Sequence, residues 1–266
     1  MHRRDGVRPL CFAARAGAVA MLLLAATPRS ALATTLIVLV SQRAIVIGAD
    51  SMRTLAAGGT EAVCKIHDRD GVVFGFAGAV SADQFDAAAI AARELGRGGD
   101  LAQKARRIAD SLQTGLVEHF RSRRVEGTRR ELIEGHRGRP VTGFIAALVD
   151  GKPQGFLVLV LAEPTADGVT LTTKVDPLDT LGPDRAIFLS SQHPDVIARA
   201  SQTMSGKARA AVPELVAAAG DLVRLDLSLE EGRPAADRRS GPPASVAVLD
   251  QDGFRFAVPG VCAARP

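Results

Sequence analysis

Two apolar runs, Thr35–Val40 (TLIVLV) and Ala44–Ala49 (AIVIGA), separated only by Ser41-Gln42-Arg43, constrain this chain more than any other feature. Both are rich in β-branched residues and apolar at nearly every position, so neither strand has a face suited to water. A fold that contains them must cover both sides of the sheet they form. The next segments extend the same theme: Ile66 and its neighbours, a turn at Asp70-Gly71, and Val72–Ala77 read as a second hairpin. Helical spacing then takes over, first in Phe85, Ala88, Ala89, Ala92 and Leu95, then in Leu101, Ala105, Ile108, Leu112, Leu116 and Phe120. The stretch Arg121–Arg139 carries seven Arg against three Glu, with Gly127, Gly135 and Gly138, and reads as a solvated helix end and loop. Strands resume at Val141–Val149 and Gln154–Leu161, joined around Asp150-Gly151, followed by Val169–Lys174 and Ala186–Leu189. Pro194–Met204 and Ala208–Val223 read as helices, the second with Pro213 in its first turns. Ser245–Leu249, a turn at Asp252-Gly253 and Phe254–Val258 close the chain. Strands, two helices, strands, two helices, strands: this order predicts an α+β fold of two mainly antiparallel sheets with helices on their outer faces, a four-layer αββα sandwich.

The first 33 residues differ in kind. Arginines precede the apolar stretch Ala16 to Ala26 (AGAVAMLLLAA), which is too short to span a bilayer as a helix, and Ala31-Leu32-Ala33 is the small-x-small pattern that signal peptidase accepts. The expectation is a signal peptide over residues 1–33, one domain over 34–266, and a periplasmic or secreted product. These 33 residues hold five Arg against Asp5, so the 33 basic and 29 acidic residues of the chain become 28 and 28 from Thr34 onward. The sequence pI near 9.3 therefore gives no reason to expect a nucleic-acid partner. Cys64 and Cys262 are left outside the leader; an oxidising compartment permits them to pair, and two buried thiols are an equally good reading.

If cleavage follows Ala33, Thr34 becomes the first residue. A threonine hydroxyl needs a base to act as a nucleophile, and a free α-amino group with a pKa of about 8 supplies one on the same residue. Asp50 closes the second strand, sixteen residues on, and Lys65 precedes the third. A lysine ammonium near the hydroxyl lowers its pKa, and a carboxylate holds the lysine in place. Taken singly, Asp50 also reads as a strand-end residue bonding the next turn, and Lys65 as an ordinary edge charge. Phe76 and Val80, either side of Gly78, read equally as pocket lining or core. His67, His119, His136 and His193 lack metal-ligand spacing and suit surface or turn roles, and there is no phosphate loop or dinucleotide fingerprint. No metal or cofactor is expected.

These residues carry a resemblance. Thr34-Thr35-Leu36, Ala44–Arg53 (AIVIGADSMR), Lys65-Ile66 and Gly75–Gly78 (GFAG), together with Asp237-Arg238-Arg239-Ser240-Gly241 and Val246–Phe254 (VAVLDQDGF), resemble proteasome β-subunits and the related bacterial ATP-dependent peptidase. The resemblance implies the N-terminal-nucleophile hydrolase fold, with Thr34 as nucleophile, Asp50 and Lys65 as its polar support, and Asp237 and Ser240 positioning its amine and hydroxyl. It implies Gly78 as the oxyanion-hole residue and Ser190 or Ser191 as a contact to the amine. A glycine at 78 suits close approach of a tetrahedral oxyanion. There are departures: Ala33 replaces the glycine that precedes the threonine, Ala79 replaces a second glycine, and Ser190-Ser191-Gln192 is a poor copy of a glycine-flanked turn. They bear on self-cleavage, substrate choice and ring assembly. The implied activity is a threonine-type peptidase on peptide substrates, matured by signal peptidase and able to form a homo-oligomer. A small-amide acylase with the same nucleophile and a non-catalytic assembly or binding protein are the alternatives.

Overall fold

The computed structural model describes residues 35–54, 59–82, 85–121, 124–178, 185–188, 193–204, 210–234, 238 and 240–264. Within them the fold is mixed α+β with antiparallel sheets. The two runs that opened the sequence form β1 (Leu36–Val40) and β2 (Ala44–Ala49), the latter over the range read from the sequence. They sit in a five-stranded sheet of order β12-β1-β2-β13-β14, with β12 at Arg185–Phe188, β13 at Ser245–Asp250 and β14 at Gly253–Val258. A second five-stranded sheet has the order β11-β10-β9-β6-β5, made by His67–Arg69 (β5), Val72–Gly78 (β6), Val141–Val149 (β9), Lys152–Thr165 (β10) and Gly168–Pro177 (β11). Every pairing in both sheets is antiparallel. Two short pairs complete the strands: Met52–Thr54 (β3) with Thr60–Ala62 (β4), and Ser81–Ala82 (β7) with Phe85–Asp86 (β8).

Strand alternation divides the core into three clusters. Leu36, Val38 and Val40 of β1, with Ile45 and Ile47 of β2, pack with Val73, Phe144 and Ala146 of the second sheet. The residues between them, Ile37, Leu39 and Val46, pack with Val196, Leu215, Leu222 and Val223 from α4 (Pro194–Met204) and α5 (Val212–Glu231). On the second sheet, Val72, Phe74 and Phe76 join Leu95, Ile108, Leu112 and Leu116 from α1 (Ala87–Leu95) and α2 (Leu101–Phe120). The double-sided apolar character of the strands thus has its physical cause: the facing sides of the two sheets share one cluster, and the other side of each sheet packs with a pair of helices. Gly48 on β2 lets α5 lie close, since a Cβ there would sit 2.8 Å from Val223 Cγ2.

The structure departs from the sequence reading in several places, among them the length of β10, read as Gln154–Leu161 and running Lys152–Thr165. Phe85 is in a strand, and α1 begins at Ala87, because the Asp86 side chain accepts from Ala89 N–H at 3.0 Å and caps the helix. The Arg121–Arg139 stretch is not simply loop: it contains α3 (Val125–Arg129) and a π-helical turn, Arg130–Gly135, that buries Leu132. His136 lies beside that turn and is buried too, not a surface residue. Finally α5 runs on to Glu231, eight residues past Val223. Residues 223–229 alternate apolar and polar like a strand, yet Leu222, Val223, Asp226, Leu227 and Glu230 continue one buried helical stripe. No helix among the described residues is long and apolar enough to cross a membrane.

Candidate functional site

The β1–β2 hairpin places Leu36 opposite Ala49, so the next residues outward, Thr35 and Asp50, meet at its open end. Asp50 N–H donates to the Thr35 carbonyl at 3.1 Å, and Thr35 N–H donates to Asp50 Oδ1 at 2.7 Å. Lys65 Nζ donates to the same oxygen at 2.6 Å. The other oxygen, Oδ2, accepts from Met52 N–H at 3.0 Å and Gly241 N–H at 3.1 Å. A carboxylate with no exposed surface is tolerable only when its lone pairs are met this fully. The strand-end reading and the lysine-holding reading of Asp50 therefore both hold, because one oxygen serves the lysine and the other the turn.

Lys65 is buried. Desolvation pushes its ammonium below the ordinary lysine range, while the charge and hydrogen bond of Asp50, then the charge of Asp226, push it back up. Cys64, the preceding residue, forms a disulfide with Cys262, with an S–S distance of 2.10 Å and a Cα–Cα distance of 4.8 Å. The open question of those two cysteines is thus answered as a bridge, and it ties the segment carrying Lys65 to the 3₁₀ turn Gly260–Ala264 after β14.

Asp226 is the residue that the sequence reading missed. It stands on α5, is 3% exposed, and takes a short hydrogen bond from the Thr35 hydroxyl and one of 3.1 Å from Ser240 Oγ. The available signal was an acid on the apolar stripe of a helix, hidden because the helix was ended at Val223. Ser240 thus joins the cluster through Asp226. Gly78 ends β6 with φ +100°, and a Cβ there would lie 2.3 Å from the Pro140 carbonyl oxygen, so the backbone demands glycine independently of any catalytic duty. Thr34, Asp237, Ser190 and Ser191 lie outside the described residues. Phe76 is core, packed with the α1–α2 cluster, and Val80 is half-buried against the same cluster.

The histidines have structural partners or surroundings: His67 stacks on Phe74, His119 meets Phe120 edge-on, and His193 Nε2 lies 2.7 Å from Glu230 Oε1. Beside Ser240 opens a cavity of about 330 Å³, bordered by Met52, Glu61, Leu227, Glu231 and Arg238. Chemically, the cluster offers a buried ammonium held by the Asp50 carboxylate, an arrangement that lowers the pKa of a neighbouring alcohol and stabilises negative charge on oxygen.

No known family description matches the chain, and no curated protein does. Among solved structures, the chain is similar to a Gly-1 mutant of Anbu from Hyphomicrobium sp. strain MC1, at 14% identity over 84% of each chain, with a TM-score of 0.48.

Proposed function

We propose that this chain is an exported N-terminal-nucleophile amide hydrolase similar to proteasome β-subunits, with Thr34 as nucleophile, acting as a peptidase. The observation that carries this reading is the buried Asp50–Lys65 pair, with Asp50 also holding the amide of Thr35, one peptide bond from Thr34. The three core clusters support the finer fold, the four-layer αββα sandwich of that superfamily. The Cys64–Cys262 disulfide supports export to an oxidising compartment, and cleavage after Ala33 by signal peptidase supplies the free amine.

In this mechanism the Thr34 amine takes the hydroxyl proton as Oγ1 bonds to the substrate carbonyl carbon. Lys65 stabilises the developing charge, and the Gly78 N–H receives the oxyanion. Collapse breaks the C–N bond, the leaving amine takes the proton from the Thr34 ammonium, and an ester remains. Water then attacks the ester, giving one proton to the amine, and Thr34 regains its hydroxyl as the acid leaves. Asp237, Ser240 and either Ser190 or Ser191 are the proposed contacts that position the amine and hydroxyl. A homo-oligomer is the proposed assembly.

The cavity beside Ser240, about 330 Å³, is at the small end of ligand pockets, which favours a small-amide acylase as the second reading. Assay of a fluorogenic peptide panel and an acyl-amide panel separates the two. Peptide turnover that vanishes in Thr34→Ala supports the peptidase; turnover of acyl-amides alone supports the acylase. A wild-type protein inert on both panels favours a binding protein.

A further inference from the structure

Asp50 is not the only carboxylate whose charge acts on Lys65. Asp226 reaches the same cluster from helix α5, whereas Asp50 comes from the end of β2. Among the described residues, these two are the charged groups acting on Lys65; the next acid along α5, Glu230, is engaged by His193 at 2.7 Å and Arg233 at 3.3 Å. Asp226 Oδ2 gathers two hydroxyls from distant segments, Thr35 at the start of β1 and Ser240 ahead of β13. Thr35 is therefore held twice, by Asp50 through its amide and by Asp226 through its side chain. An extended strand end with two such anchors, 1% exposed, has little freedom to swing.

We propose that Asp226 is a positioning residue of this site: it fixes the Thr35 end of β1 through the Thr35 and Ser240 hydroxyls, and from there its charge acts on Lys65. This rests on the hydrolase reading for its consequence in catalysis, though not for its electrostatics. Asp50 alone must offset the desolvation of a lysine in a dry site; a second carboxylate shares that work and keeps the ammonium charged over a wider pH range. A helix that carries an acid on its apolar stripe, where a leucine would pack equally well, is the sequence trace of this demand.

The decisive experiment measures the ionisation of Lys65 directly. The chain has five lysines, so side-chain nitrogen NMR of ¹⁵N-lysine-labelled protein resolves each titration. In Asp226→Asn, which keeps the shape and an acceptor oxygen, the Lys65 midpoint is expected to fall by about one unit or more, with the four other lysines unmoved. Asp226→Glu is expected to restore most of that shift. In the same variants the alkaline limb of kcat/KM moves down with the Lys65 midpoint, and Thr35→Val lowers kcat about tenfold while KM and the limb stay put. A folded Asp226→Asn protein whose Lys65 titrates as in the wild type overturns the proposal. Should the wild type show no turnover, the hydrolase reading fails while the Lys65 titration still decides the role of Asp226. Should Asp226→Asn not fold, amide exchange at position 35 in Thr35→Val decides. Exchange at least tenfold faster than in the wild type supports the anchor, and an unchanged rate overturns it.

Discussion

The cluster around Asp50 and the connector between α2 and β9 bury polar groups in opposite ways. Asp50, Lys65, Asp226 and Ser240 are nearly dry, and each is met by named donors or acceptors: Asp50 alone accepts from two side-chain or strand-end donors on one oxygen and two backbone amides on the other. The connector spreads its described arginines over the surface and buries a single imidazole, His136, whose Nδ1 meets no partner among the described residues. The first arrangement keeps charges buried by satisfying them. The second keeps a titratable group buried by holding it neutral. Dense satisfaction belongs where a charge must persist in a dry site, and bare burial where only packing is asked for.

The largest effect is expected at the covalent edge of the cluster. The disulfide beside Lys65 closes a sequence separation of 198 residues, so the double variant Cys64→Ser, Cys262→Ser should lose about 5 kcal/mol by loop entropy, read by chemical denaturation. A loss that leaves the Lys65 titration intact would show that the bridge acts on the unfolded chain and not on the cluster.

Next comes Asp50→Ala. It strands Lys65 in a dry site, and a loss of about 4 kcal/mol in the same assay is expected. Replacing both partners together, Asp50→Ala with Lys65→Met, should recover part of it, because the orphaned charge and not the lost pair causes most of the penalty.

The connector should answer to acid instead. Burial lowers the His136 pKa from 6.5 to about 4, so the unfolded chain binds a proton that the folded one refuses. Its contribution to stability is complete above pH 6.5 and falls away as pH drops toward 4, a loss of about 3 kcal/mol. The stability difference between wild type and His136→Leu, read by chemical denaturation, should change by that amount between pH 7.5 and pH 4. Parallel curves would remove His136 from the account.

The smallest effect is expected at the connector's surface. Arg130→Ala should change stability by less than about 0.5 kcal/mol, since the residue is exposed. A larger loss would mean that the two regions differ less than described.

How much was legible follows the same division. Strand positions were readable because β1, β2, β6 and β9 are apolar on both faces and bounded by turn residues such as Asp70-Gly71, both at positive φ. Asp50, Lys65 and Ser240 were found by spacing and resemblance, and they do converge. Asp226 was not found, because VRLDLSL alternates like a strand and so masks the helical stripe on which the acid sits. The π-helical turn at Arg130–Gly135 was hidden by seven arginines, whose charge says where water is and not how the backbone turns. The Cys64–Cys262 bridge depends on two segments meeting across 198 residues, which no local pattern encodes.

The central claim is that Thr34 presents a free amine and a hydroxyl beside the Asp50–Lys65 pair. A peptide epoxyketone closes a ring only with a residue carrying both groups, so mass spectrometry of the mature protein after treatment tests the claim directly. The account predicts one adduct, on a chain whose first residue is Thr34, and none in Thr34→Ala. A mature chain beginning elsewhere, or a Thr34 terminus that takes no adduct, would contradict it.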